Sequence, residues 1–462
     1  MPLLIKNGEI VTADSRSRAD IYCEGETITR IGPGLEGPPG TQVVDATGKY
    51  VFPGFIDPHV HITLPFMGTL AKDTYETGSR AALLGGTTTL IEMCCPSRAE
   101  DTLGGFEHWM AQAEGRSACD FTFHMGATKF DGKTESDLRE IVRRGISSFK
   151  VFLAYKGAFG IDDTELYRTL RLAKELGVVV TAHCENESLV SELQKGLLAA
   201  GRTDPGQHHE SRPPAVESEG VHHLMTFAEL TGAHTYIVHL SCKRALDQAI
   251  AARGRGVHVA IETLIQYLVL DKTWAERADF EGAKYVMSPP LRDAWNQPFL
   301  WNGLRDGLIQ TVATDHAPFD FAGQKEMGRA DFTKIPNGIP SLEERINLLY
   351  TFGVKAGRID LHTMVNAAST QVAKTFDLFP RKGTIQPGAD ADLVVFDPGY
   401  RGVISAKTQH MNIDYSAFEG WKIEGRPSVV TVRGEAAVRD GKFVGDPRRG
   451  RFLRRTPSRA GS

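Results

Sequence analysis

Between residues 53 and 379 the chain alternates short, almost wholly apolar runs with longer segments of helical period. The runs Val178-Val179-Val180-Thr181-Ala182, Tyr236-Ile237-Val238 and Thr311-Val312-Ala313 lack polar alternation, the pattern of strands buried on both faces of a parallel sheet. Segments such as 162–177 separate them, where Asp163 or Thr164 can cap the start of a helix and Gly177 its end. Repeated strand–helix alternation implies right-handed βαβ units and a parallel sheet. The flanks read differently, as short strands broken by turn signals such as Asn7-Gly8 and Pro38-Pro39-Gly40. The expected class is therefore α/β: a TIM-like (β/α)8 barrel over 53–379 and a small β-sandwich domain built from both chain termini, 1–52 and 380–445. Residues 446–462 form a basic tail with Arg448, Arg449, Arg451, Arg454, Arg455 and Arg459. It is expected to be solvated and partly disordered, with docking on an acidic neighbouring subunit as the alternative.

Composition narrows the function class. The 462 residues carry a net charge of −4 and a pI near 6.4, so no nucleic acid or other polyanion is expected as a partner. The longest apolar runs fall far short of the roughly 20 residues of a membrane span, and residues 1–8 lack the features of a signal peptide. Six cysteines show no C-x-x-C pair or framework spacing, which points to reduced thiols and a cytoplasmic location.

The chemistry lies at the ends of the apolar runs. Tyr50-Val51-Phe52-Pro53-Gly54-Phe55-Ile56 leads into Asp57-Pro58-His59-Val60-His61, and residues i and i+2 of a strand share a face, so His59 and His61 can grip one ion. Later runs end similarly, at His183, His239 and Asp315, while Ser148-Phe149-Lys150-Val151-Phe152 carries a lysine. Any one histidine has an ordinary explanation. Five strand ends with metal-ligand types do not, and in a parallel barrel active groups gather at those ends. Lys150 suggests two metals rather than one. On the inward face its ammonium would be repelled by cations, so it must be neutral. A neutral amine can add carbon dioxide, and the resulting carboxylated lysine can bridge two ions some 3.5–4 Å apart.

Taken together, Gly54–His61, Gly85-Gly86-Thr87-Thr88, Ser148–Phe152, Ala182-His183-Cys184-Glu185, Val238-His239-Leu240-Ser241, Tyr285–Arg292, Ala313–Phe319 and Ile335–Pro340 resemble the cyclic amidohydrolases of the D-hydantoinase and dihydropyrimidinase group over nearly the whole chain. The resemblance implies one metal on His59, His61, Lys150 and Asp315 and a second on Lys150, His183 and His239. Zinc is the expected ion, with manganese or cobalt also suited to imidazole and carboxylate. It further implies a hydroxide bridging two Zn2+ and N6-carboxylated Lys150, with Asp315 carrying the proton, Tyr155 donating to the oxyanion, and Ser288 and Asn337 holding the ring. A homotetramer, or a dimer, is implied too. From the residues alone, Ser288 and Asn337 read as turn residues before Pro289-Pro290 and Gly338.

After the His-x-His pair, Ile62-Thr63-Leu64-Pro65-Phe66-Met67 holds no cation, whereas dihydroorotases generally have an arginine there for a substrate carboxylate. With Phe152 and Phe159, Leu64 is expected to form an apolar pocket for a ring substituent. The expected substrates are small cyclic amides and imides, 5-substituted hydantoins and 5,6-dihydrouracil, opened to N-carbamoyl amino acids; D-selectivity is implied by the resemblance alone. Allantoinase, dihydroorotase and a non-catalytic dihydropyrimidinase-like binding protein are the alternatives. Glu92, at the end of another apolar run, is expected to orient a ligand histidine.

Overall fold

The computed structural model describes residues 2–458. Eight parallel strands pair in sequence order: β1 (Phe55–Val60), β2 (Thr87–Cys94), β3 (Asp120–Gly126), β4 (Ser148–Phe152), β5 (Val179–His183), β6 (Thr235–Ile237), β7 (Val259–Leu264) and β8 (Thr311–Ala313). Residues of β1 to β6 and of β8 are all buried, which explains their lack of polar alternation. The sheet closes just beyond β8, where Val60 bridges His316 in parallel and the His61 N–H donates to the His316 carbonyl at 2.8 Å. Closure turns eight strand ends into one ring of side chains.

Helices return the chain between strands. In the helix Asp163–Leu176 the cap is Asp162, one residue earlier than expected. Its carboxylate accepts the Glu165 N–H at 2.8 Å, and Glu165 accepts the Asp162 N–H at 2.9 Å, a reciprocal capping box. Gly177 ends the helix at φ 69°, as its left-handed position requires.

Both termini build the sandwich. One sheet has four strands, with Leu3–Lys6 between Asp20–Glu24 and Gln42–Asp45. The other has seven and mixes the ends of the chain: Tyr50–Pro53 pairs antiparallel with Leu393–Phe396. Leu3, Ile5, Ile21, Val51, Leu393 and Val395 fill the space between them. The apolar run from Tyr50 to Ile56 is thus divided between two sheets, and Gly54 is the divide. A Cβ there would lie 2.1 Å from Thr88 Oγ1 and 2.9 Å from Asp392 Cβ. The seam is also ionic. Lys382 is buried with its amine 2.6 Å from Asp120 and 2.7 Å from Asp392, and Arg433 pairs with the other Asp120 oxygen.

The basic tail is not solvated as expected. Through Ser458 it runs across the chain's own barrel: Phe121 N–H donates to Arg451 O at 3.0 Å, Leu453 N–H to Phe121 O at 2.8 Å, and Arg455 N–H to Gly145 O at 2.8 Å. Leu453 is fully buried, the Phe452 ring lies 6.0 Å from that of Phe121, and the Arg455 guanidinium reaches the Phe123 carbonyl and Ser148 Oγ. The arginines dominate the composition, and the buried Arg455 shares the anchoring with the apolar pair Phe452 and Leu453. Arg459 lies outside the described residues. Among those described, no helix is long and apolar enough to cross a membrane.

Leu453→Ala is expected to destabilise the protein by about 2–5 kcal/mol, the cost of emptying a buried leucine site. Thermal melting reads this directly; an unchanged curve would mean that the tail contributes nothing.

Candidate metal centre and active site

Six side chains singled out in the sequence meet at the C-terminal mouth of the barrel. His59 lies on β1 and His61 one residue past it; Lys150 is on β4, His183 closes β5, and His239 and Asp315 each lie two residues beyond β6 and β8. The Nε2 atoms of His59 and His61 each stand 3.1 Å from Asp315 Oδ1, and one ligand atom from each of the three fits within 4.8 Å of the others. Across the mouth, His183 Nδ1 faces His239 Nε2 at 3.0 Å. Lys150 sits between these groups, fully buried and lining the same pocket.

The donor set fits metal ions. Among the described residues Lys150 Nζ is buried without a hydrogen-bond partner, a costly state that a bound cation or a carboxylated amine would relieve. Burial pushes the His59 and His239 pKa values well below the ordinary value, leaving neutral imidazoles of the kind metals take. The same burial lowers Lys150, against the pull of Cys95 and Asp315. For Asp315 burial acts upward, but His59 and His61 outweigh it and keep the carboxyl below its usual range. His239 at φ 41° and Asp315 at φ 49° both occupy left-handed backbone, strain of about 1–3 kcal/mol each that is typical of functional positions.

Carboxylates behind the histidines set their orientation. Glu262, fully buried on β7, accepts from His59 Nδ1 at 2.8 Å, from the His239 N–H at 2.8 Å and from Tyr236 Oη at 2.8 Å. Burial raises it to about 8. Glu185 accepts from His183 Nε2 at 2.8 Å and from Arg212 at 2.5 Å. Burial would raise it too, but Arg212 and His183 prevail and hold it at about 2. The Arg212 guanidinium carbon also lies 5.4 Å from the Tyr155 ring centroid, linking a ligand's support to the pocket wall.

Tyr155 itself stands at φ 61°, its N–H donating to Glu187 at 2.7 Å. Asn337 Nδ2 lies 3.0 Å from Ser288 Oγ and 3.3 Å from Tyr155 Oη, so the three polar groups expected from the sequence share one corner. Beside this corner the lining is apolar: Leu64, Phe66, Phe152 and Phe159 line the pocket, with the Phe66 ring 5.6 Å from that of Tyr155 and the Phe152 and Phe159 ring centroids 5.6 Å apart. Cys95 is there as well, its thiol pushed up to about 12 by burial and therefore protonated.

Glu92 does not have the part expected of it. Its carboxylate accepts from the Ile62 N–H at 2.9 Å, from Trp109 Nε1 at 3.2 Å and from the Tyr75 hydroxyl. It anchors the chain just after His61 and orients no histidine. That work falls to Glu262 and Glu185, which sequence reasoning missed although one lies within an apolar strand run and the other two residues after His183. A charged residue inside such a run was the available signal.

Glu262→Gln is expected to weaken metal affinity about 10–100-fold, the usual cost of losing the group behind a ligand histidine. Competition with a chelator measures it; unchanged affinity would remove Glu262 from the centre.

Comparison with known proteins agrees with this geometry. The amidohydrolase family model matches residues 50–437. The chain is 48% identical to the D-hydantoinase of Geobacillus stearothermophilus over 456 residues, covering 98% of this chain and 97% of that protein. It is 36% identical to the dihydropyrimidinase of Dictyostelium discoideum over 458 residues, 98% and 91% of the two chains. Among solved structures, the D-hydantoinase (dihydropyrimidinase) from Thermus sp. superposes with a TM-score of 0.97 at 66% identity, covering 98% of this chain and 99% of that one. The L-hydantoinase (dihydropyrimidinase) from Arthrobacter aurescens superposes with a TM-score of 0.89 at 30% identity, covering 98% and 99%. With its barrel, its ring of strand-end ligands and these near-full-length matches, the chain belongs to the amidohydrolase family, in the branch of the hydantoinases and dihydropyrimidinases.

Proposed function

We propose that the protein hydrolyses the cyclic amide bond of 5-substituted hydantoins and of 5,6-dihydropyrimidines, giving N-carbamoyl amino acids. One observation carries the two-metal form of this reading: the Lys150 amine is fully buried, with no hydrogen-bond partner among the described residues, in the pocket lined by His59, His61, His183, His239 and Asp315. Carboxylated, Lys150 would be an anion able to share two Zn2+, with His59, His61 and Asp315 completing one set of ligands and His183 and His239 the other. When bound, such metals supply a water acidic enough to be a nucleophile near neutral pH and polarise the scissile carbonyl.

The chain's own groups do the rest. Ser288 and Asn337 orient the ring at the polar corner. The Tyr155 hydroxyl donates to the oxygen on which charge builds, and burial keeps its pKa above the ordinary tyrosine value, so that the donor proton is retained at alkaline pH. Asp315, held as a carboxylate, accepts a proton and returns it to the leaving ring nitrogen. Leu64, Phe66, Phe152 and Phe159 receive the substituent at C5 and exclude water.

D-selectivity is part of the proposal. It is supported by the 42–48% identity to proteins named D-hydantoinase, against 30% to the L-hydantoinase. All six cysteines are buried and unpaired, as suits a cytoplasmic enzyme, and a homotetramer is the proposed assembly.

Elemental analysis combined with turnover of dihydrouracil and of D- and L-phenylhydantoin tests the proposal. About two metals per chain with ring opening and a preference for the D-isomer is expected. One metal or none, with no turnover after metal and bicarbonate are restored, would refute it. Tyr155→Phe is expected to lower kcat by about 10²–10³-fold, as when an oxyanion donor is lost, with metal content unchanged. An unaltered kcat would exclude that part for Tyr155.

A further inference from the structure

Lys325 is fully buried, and among the described residues its amine reaches no carboxylate. Instead it donates to three main-chain carbonyls: Val286 at 3.0 Å, Pro336 at 2.8 Å and Gly338 at 2.7 Å. Those carbonyls come from two segments far apart in sequence. Val286 lies two residues before Ser288, while Pro336 and Gly338 flank Asn337. The segments also meet directly, through Gly338 N–H to Val286 O at 2.9 Å and Asn337 Nδ2 to Ser288 Oγ at 3.0 Å. Both have the irregular backbone of loops, and a Cβ on Gly338 would lie 2.2 Å from Ala317 O, so the second is pressed against the barrel rim.

A buried lysine is expensive, and its usual compensation is an acid. Here the acceptors are neutral and number three, and burial pushes the Lys325 pKa well below its ordinary value, so the amine is held by hydrogen bonds rather than by an ion pair. An apolar side chain of similar length would avoid burying an amine, but it would take the donor away from these carbonyls. What it could not do is fix the relative position of two loops that carry no regular hydrogen-bond ladder between them.

We propose that Lys325 is a positioning residue that clamps the Ser288 and Asn337 loops at the spacing needed to hold the substrate ring. This rests on the reading that those two residues bind the cyclic amide. The clamp acts on binding geometry and leaves the metal ligands untouched, so its loss should appear in KM more than in kcat.

Lys325→Gln retains two N–H donors on a shorter arm, and Lys325→Met removes all donors at similar length. Metal content, dihydrouracil kinetics and hydrogen exchange over residues 286–291 and 336–339 are measured for both against the parent enzyme. The expected result is an unchanged metal content and a KM raised about tenfold in the Met variant, the worth of one to two buried hydrogen bonds. The Gln variant should fall between, kcat should stay within about threefold, and exchange should accelerate in those two segments alone. Unchanged KM and exchange would overturn the proposal. So would a fall in kcat alone, a loss of metal, or failure of both variants to fold, each of which means a general structural part. If the parent enzyme opens no cyclic amide, the reading of the ring site fails, and the exchange data still decide whether Lys325 clamps the loops.

Discussion

An amine buried at the mouth of a barrel, with no hydrogen-bond partner among the described residues, sets the terms for everything around it. Lys150 cannot remain an uncompensated ammonium beside four imidazoles without a large desolvation cost, and as a neutral amine it is a nucleophile toward carbon dioxide. Its surroundings are arranged for that second state. Ligand types line the same pocket, His183 Nδ1 faces His239 Nε2 at 3.0 Å, and the low pKa values imposed by burial keep His59 and His239 uncharged. Were Lys150 exposed, neither the proposed bridge nor the proposed two-metal chemistry would have a physical basis.

The barrel delivers these groups, but a ring of strand ends does not by itself aim them. Aim comes from an outer layer of buried acids and from strained backbone. Glu262 fixes one nitrogen of His59 and the main chain of His239 with the same carboxylate oxygen, so that the ligands of the two proposed metals share a support. Glu185, gripped by Arg212, does the same for His183. Left-handed φ values at His239, Asp315 and Tyr155 turn the side chains inward just where the strands end. Such strain persists only where the surroundings over-determine it, as the closed barrel does here.

The difference between what the sequence discloses and what it hides follows chain separation. His59 and His61 declare themselves because strand geometry puts i and i+2 on one face. Lys150 stands out as a charge within an apolar run, and the barrel follows from unbroken apolar strands alternating with helical segments. Glu262 is as buried as Lys150, yet its partner His59 lies 203 residues away, and nothing local announces the pairing. Lys325 resembles any surface lysine until the fold brings three carbonyls to it. In the tail, two apolar residues and a buried Arg455 hold the chain to its barrel, which a count of charges does not foresee. Glu92 shows the converse: a buried acid at a strand end has the right look, but the next loop claims it. Ser288 and Asn337 read locally as turn residues and lie on irregular loop backbone; their proximity to Tyr155 exists only in three dimensions.

The most direct test of the central claim is an experimental structure of the metal-loaded protein with anomalous scattering at the zinc edge. The account predicts two peaks about 3.5–4 Å apart, the spacing of two-metal sites, with density for a carboxylate extending from Lys150 Nζ to both. A single peak beside His59, His61 and Asp315, with an unmodified Lys150 amine, would contradict it.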